Sequence, residues 1–145
     1  MKRLFLTLTI VFSLITFSSF ADTITVTTPV LNSLNSSFKN ATEVNWTATG
    51  SMYKATFVMN GQYVSAFYDG DGKMVALTRN ITSFQLPISL QSEIKNCYDQ
   101  YWISDLFEVA DEQGTTYYVT LQNADTKLIL KSSSTSWTTY QKLRK

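Results

Sequence analysis

The chain has no histidine, a single cysteine, two prolines and five glycines, and its 12 Lys and Arg are matched by 11 Asp and Glu. Each shortage excludes something. Without histidine there is no Ser-His-Asp triad, no Cys-His pair and no imidazole metal site. One cysteine forms neither an internal disulfide nor a thiolate metal cage. A formal charge of +1 lacks the basic excess of a nucleic-acid footprint. At 145 residues the chain has room for one small domain. Most familiar enzyme chemistries are gone before any motif is read. No catalytic residue is expected, and no cofactor or metal.

What is present begins with an export signal. Lys2 and Arg3 form a positive start, and Leu4 to Phe17 an apolar stretch broken only by Thr and Ser. Ser19 and Ala21 place small residues three before and one before a cut after Ala21. The alternative is an uncleaved anchor, but the apolar core of about 14 residues falls short of the ~20 that a spanning helix needs. No cysteine follows it, which excludes lipoprotein attachment. Residues 1–21 are therefore expected as a signal peptide and 22–145 as the exported domain, periplasmic or secreted, with no membrane anchor after cleavage. Cleavage removes Lys2 and Arg3 from the 12 basic residues, leaving 10 against 11 acidic.

The exported part reads as two similar halves, about 29–82 and 86–143. In the first, Thr27 or Thr28 is positioned to cap a helix with Pro29 in its first turn. Leu31, Leu34 and Phe38 recur with helical spacing as its apolar face. Strand-like runs follow at Glu43–Thr49, Met52–Met59, Gln62–Tyr68 and Lys73–Ile81. Asn60-Gly61 is a two-residue hairpin turn, because both residues tolerate positive φ. Asp69-Gly70-Asp71-Gly72 closes the next hairpin. The second half opens at Leu86-Pro87 with a helix carrying Leu90, Ile94, Cys97, Tyr98 and Tyr101 on one face. Its strands are expected at Ile103–Ala110, Thr116–Gln122, Lys127–Ser132 and Trp137–Leu143. Tyr53–Phe57 aligns with Tyr117–Leu121, which suggests a duplication. Strands following each helix point to an α+β fold with antiparallel sheet: two units, each one helix on four strands.

Register says more than the element list. With Asn60-Gly61 as the loop, Phe57 faces Val64 and Met59 faces Gln62. One sheet face then holds Tyr53, Ala55, Phe57, Val64, Ala66 and Tyr68, extended by Val75 and Leu77. In the second half it holds Tyr117, Val119, Leu121, Leu128 and Leu130. Two clean apolar faces support that register. The opposite face carries Lys54, Thr56, Val58, Tyr63, Ser65, Phe67 and Met74, then Tyr118, Thr120, Lys127, Ile129 and Lys131. A solvated antiparallel face is ordinarily polar, whereas rigid aromatics among small polar groups are the makeup of a binding surface. Lys54, Val58, Tyr63, Phe67, Met74, Tyr118 and Ile129 are the candidate contact residues for a protein or peptide. The same face is also open to a plainer account, either as aromatics exposed singly or as the contact between halves.

Other motifs lead less far. Asp69 and Asp71 start like a calcium loop, but Asn80 stands where an EF-hand needs a bidentate Glu. Asp111-Glu112 is an acidic pair in a surface turn, where nothing desolvates a general acid. Cys97 has no base beside it and is expected in the core. Asn35, Asn40, Asn45 and Asn80 head Asn-x-Ser/Thr triplets, common by chance in so Thr- and Ser-rich a chain. Ser132–Ser136 is expected as a flexible hairpin loop.

The motifs in order carry a resemblance. They are Phe38-Lys-Asn-Ala41, Val44-Asn-Trp46, Tyr53-Lys-Ala-Thr-Phe57, Asn60-Gly61, the run from Ala66 to Gly72, and Leu86-Pro87. The series resembles the PepSY-like, beta-lactamase-inhibitor-like proteins exported by Bacteroidetes, across roughly Ser33 to Leu143. The resemblance implies a tandem helix-on-sheet fold and a non-enzymatic protein of the periplasm or exterior. It also implies a concave, aromatic sheet that grips a partner. The chain departs from the pattern at Ser132–Ser136, where an acidic-Gly turn is expected. Two other classes fit the same residues: a protein that self-associates through its sheet edges, and a small-ligand or calcium binder using Asp69 and Asp71.

Overall fold

The computed structural model describes residues 24–145; the expected export segment and the cut expected after Ala21 lie outside the described residues. The order is α1 (Thr28–Ser37), β1 (Thr42–Thr49), β2 (Met52–Met59), β3 (Gln62–Tyr68) and β4 (Met74–Asn80). A 3-10 turn at Ser83–Gln85 then leads to α2 (Ile88–Cys97), β5 (Trp102–Asp111), β6 (Gly114–Gln122), β7 (Thr126–Ser133) and β8 (Ser136–Arg144). Among the described residues no helix is long and apolar enough to cross a membrane.

The expected pair of four-stranded sheets is in fact one eight-stranded antiparallel sheet in sequence order. β4 pairs with β5, with Leu77 opposite Ala110 and Thr78 opposite Val109. The reason is backbone hydrogen bonding. Two separate sheets would present four bare edges, and joining β4 to β5 leaves only β1 and β8.

Asn60 and Gly61 take φ 51° and 76°, the turn that matches strand twist. They set the expected register, with Phe57 opposite Val64 and Met59 opposite Gln62. The core row then runs across the whole sheet. Ala55 faces Ala66, Ala66 faces Leu77, and Leu77 faces Ala110; on the same side Leu106 faces Val119, which faces Leu130. Both helices cover this one side. α1 lays Val30 and Leu34 on Ala55, Phe57, Val64, Ala66 and Tyr68, and α2 lays Leu90 on Leu106, Val119, Leu121, Leu128 and Leu130.

Two helix residues depart from expectation. Leu31 is 38% exposed and Val30 is buried instead. The stripe is Val30, Leu34 and Phe38, stacked at four-residue steps, and Leu31 lies one residue, about 100° of helix, off it. Cys97, expected in the core, is exposed. It is the last residue of α2, and the Tyr98 and Tyr101 rings beyond it, 6.3 Å apart and edge-on, pack on the core in its place.

The turns show what local chemistry does. Asp69 Oδ1 accepts from the N–H groups of Asp71 (3.0 Å) and Lys73 (2.9 Å). Gly72, at φ 86°, passes so near α1 that a Cβ there would sit 2.6 Å from the Pro29 carbonyl oxygen. Thr27 makes no side-chain cap on α1; its hydroxyl donates to the Gly70 carbonyl (3.1 Å) and ties the lead segment to this turn. The Ser132–Ser136 stretch is not an open loop. Ser133 pairs with Ser136 around a tight turn in which Ser134 takes φ 57°. On β8, Trp137 is buried and donates its indole N–H to the Leu90 carbonyl (3.0 Å), while its backbone N–H meets Glu93 (3.0 Å).

Candidate functional site: the uncovered sheet face

Because both helices lie on one side, the other side of the sheet is bare among the described residues. Strand alternation sends every second residue there. On β2 and β3, Lys54 stands opposite Phe67, Thr56 opposite Ser65, and Val58 opposite Tyr63. Lys54 Nζ lies 5.7 Å from the Phe67 ring centroid, a cation–π contact that holds both side chains. Thr56 and Ser65 join hydroxyls at 3.1 Å. Tyr63, 66% exposed, stands out from the surface.

On β6 and β7, Tyr118 stands opposite Lys131 and Thr120 opposite Ile129. Tyr118 stacks on Phe107 of β5 (centroids 5.3 Å, planes 9° apart) and meets the edge of Tyr140 of β8 (5.8 Å, 90°). Lys131 Nζ sits 5.8 Å from the Tyr118 ring. Between the two aromatic groups runs a floor of smaller residues. Phe67 is followed across the sheet by Ala76, and Ser65 by Thr78, Val109 and Thr116. The structure thus places Lys54, Val58, Tyr63 and Phe67 in one group and Tyr118 and Ile129 in a second, on the same surface. The halves do not pack on each other through this face, since they are neighbours edge to edge within one sheet.

Met74 is the exception among the candidates. A register shift at Phe67/Tyr68 brings Met74 opposite Tyr68, a core-side residue, and leaves Val75 as the extra residue of a bulge. Met74 therefore does not extend the Lys54–Phe67 row. Val75, expected in the core, is half-buried and outside the core cluster. The two flank a shallow cleft of about 290 Å³ with Leu77 and Ala110.

Phe107 and Tyr140 also belong to the second aromatic group, beyond the expected contact residues. Phe107 carries a readable signal, since it alternates with Leu106 and Glu108 along β5. Tyr140 does not. It faces outward because a shift between Ile129 and Leu130 leaves it unpaired on β8, and such a bulge has no mark in this stretch of sequence.

Several of the carboxylates are already engaged. Glu112 pairs with Lys73 (2.7 Å) and holds the lysine's pKa above its ordinary value, first by hydrogen bond and then by charge. Glu108 pairs with Arg79 on the helix side and raises the guanidinium's pKa in the same way. Asp111 accepts from the Gln113 N–H (2.7 Å). With Asp69 Oδ1 accepting two backbone N–H groups, its role is closure of the turn. Among the described residues no group of three or more His, Cys, Asp or Glu side chains is placed to hold a metal ion.

No protein-family model matches the chain, and no curated protein does. Solved structures do match in fold. A BLIP-like protein of Bacteroides fragilis is 17% identical, with 83% of this chain and 87% of that one covered, at a TM-score of 0.70. A DUF2874 family protein of Bacteroides uniformis is 20% identical, with 81% and 88% covered, at 0.71. A protein of Bacteroides eggerthii named as periplasmic is 13% identical, with 83% and 90% covered, at 0.73. The chain thus has the fold of BLIP-like and DUF2874 proteins of Bacteroides, in line with the beta-lactamase-inhibitor-like resemblance of its motifs.

Proposed function

We propose that the chain is an exported, non-enzymatic binding module that holds a protein or peptide on the bare face of its sheet. One observation carries the reading: an eight-stranded sheet has both helices on one side and, on the other, two aromatic groups with lysines. Contiguous exposed aromatic surface rimmed by polar groups is a mark of an interaction site. The export signal and the periplasmic name of one structural neighbour favour action in the periplasm or outside the cell, after cleavage behind Ala21. The repeated order of one helix and four strands fits an internal duplication whose two sheets fused through β4 and β5.

The test is capture from periplasmic extract by the chain expressed from Asp22, beside Tyr63→Ser/Phe67→Ser. A partner retained by wild type and lost by the folded double variant supports the reading. A partner retained equally by both contradicts it. Self-association is the competing function, favoured by β1, whose edge from Asn45 to Thr49 carries no charge and so lacks the usual guard against pairing. Sedimentation separates the two, since self-association raises the mass with no partner present.

A further inference from the structure

The charge of the described chain is divided unevenly. Residues 126–145 hold Lys127, Lys131, Lys142, Arg144 and Lys145 with no acid, whereas residues 24–125 hold ten acids and five bases. None of the five C-terminal cations is in an ion pair among the described residues. The pairing of β7 divides them by side. Lys127 and Lys131 share the bare face with Ile129, while Lys142 stands opposite the core residue Leu128 and Arg144 opposite Thr126. Lys145 reaches back, donates to the Asn123 carbonyl (2.9 Å) and lies 5.1 Å from the Trp102 ring. Asp105, on the same face opposite Thr120, already accepts from the Asn80 amide (3.0 Å).

We infer that the second aromatic group is the seat of an acidic, extended segment of the partner protein. This rests on the binding reading above and adds the partner's chemistry. Lys127, Ile129 and Lys131 alternate along one strand, which spaces the two ammonium groups' attachment points about 13 Å apart. An extended polypeptide with carboxylates four residues apart and an apolar residue midway has the same spacing. The apolar residue meets Ile129 and Tyr118, and the carboxylates meet lysines that are in no ion pair among the described residues. Aromatic surroundings lower the local dielectric, so each ion pair counts for more than at an open surface.

The test uses the chain from Asp22 and a labelled peptide of three Glu-Thr-Phe-Thr-Glu blocks, with the Gln-for-Glu peptide as reference, read by fluorescence anisotropy. The acidic peptide is expected to bind about tenfold tighter at low salt, an advantage that shrinks as ionic strength rises. Lys127→Glu/Lys131→Glu abolishes that advantage, Lys127→Gln/Lys131→Gln reduces it, and Lys142→Glu/Arg144→Glu on the helix side leaves it. Equal affinity for both peptides overturns the inference. So does equal loss in both charge-reversed variants, or equal competition by dextran sulfate, each of which means attraction of any polyanion. If the captured partner of the previous section is lost with Tyr63→Ser/Phe67→Ser but kept by Lys127→Glu/Lys131→Glu, the acidic segment is refuted and the binding face stands.

Discussion

The two helix-backed regions of the sheet fill equivalent space with different side chains. Under α1 the core is aromatic against small, with Phe57 and Tyr68 beside Ala55 and Ala66. Under α2 it is aliphatic, with Leu90, Leu106, Val119, Leu121, Leu128 and Leu130, closed at the edge by Trp137. Their hairpins differ as well. The β3–β4 turn is shaped by Asp69 and Gly72, while the β7–β8 turn puts Ser134 in the same left-handed region without a glycine. Interior packing density can be met by several mixtures of large and small residues. What the two regions share is the order of elements and the alternation that separates a covered face from a bare one. What they do not share, the C-terminal lysines above all, is where a division of labour on that face would lie.

The comparison is broken most severely by emptying either core. Phe57→Ala and Leu121→Ala are each expected to cost about 3–5 kcal/mol. Because β4 and β5 join the regions into one sheet, each variant should lower a single transition, with Trp46 and Trp137 fluorescence and far-UV circular dichroism giving one midpoint in urea. Separate midpoints would show two independently folding regions.

The turns give the next contrast. Gly72→Ala is expected to cost about 2–3 kcal/mol, because the new Cβ meets Pro29 backbone at a φ that L residues resist. Ser134→Gly goes the other way and should gain up to about 1 kcal/mol by relieving a left-handed serine. Thermal melts of the pair check both signs.

A smaller effect separates the polar handles of the two cores. Trp137 has a carbonyl for its N–H, but the hydroxyl of Tyr68 is buried with no hydrogen-bond partner among the described residues. Tyr68→Phe should therefore stabilise by about 1 kcal/mol at neutral pH, and Trp137→Phe should destabilise by a similar amount. Burial also raises the Tyr68 pKa above 10.0. The phenol is neutral in both states below pH 10, and above it the unfolded chain ionises first. Its contribution is thus fully present below pH 10 and is lost as pH rises toward the raised folded value. Tyr68→Phe should flatten that alkaline decline in a pH series of melting temperatures.

Much of this arrangement is legible in the residues themselves. Alternation in Tyr53–Phe57 and Val64–Tyr68, locked by Asn60-Gly61, defines which side chains share a face, and the same logic puts Lys54, Val58, Tyr63 and Phe67 on one face of the first half and Tyr118 and Ile129 on one face of the second. What escapes is set by non-local or one-residue effects. The β4–β5 pairing depends on backbone edges far apart in sequence. Met74 and Tyr140 are turned by bulges, which reverse the face of a side chain with no change of residue type. Leu31 and Val30 differ by one helical step, and only the sheet beneath decides which of two apolar neighbours is buried. Cys97 is exposed because its helix ends there, a boundary that short amphipathic patterns mark poorly.

The central claim is that the bare face holds the partner, and lysine acetylation footprinting tests it most directly. Lys54 and Lys131 lie on that face, and Lys95 lies on α2 across the sheet. In the captured complex, Lys54 and Lys131 should lose labelling relative to the free chain while Lys95 keeps it. Protection of Lys95 with Lys54 and Lys131 still fully labelled would place the partner on the helices and contradict the account.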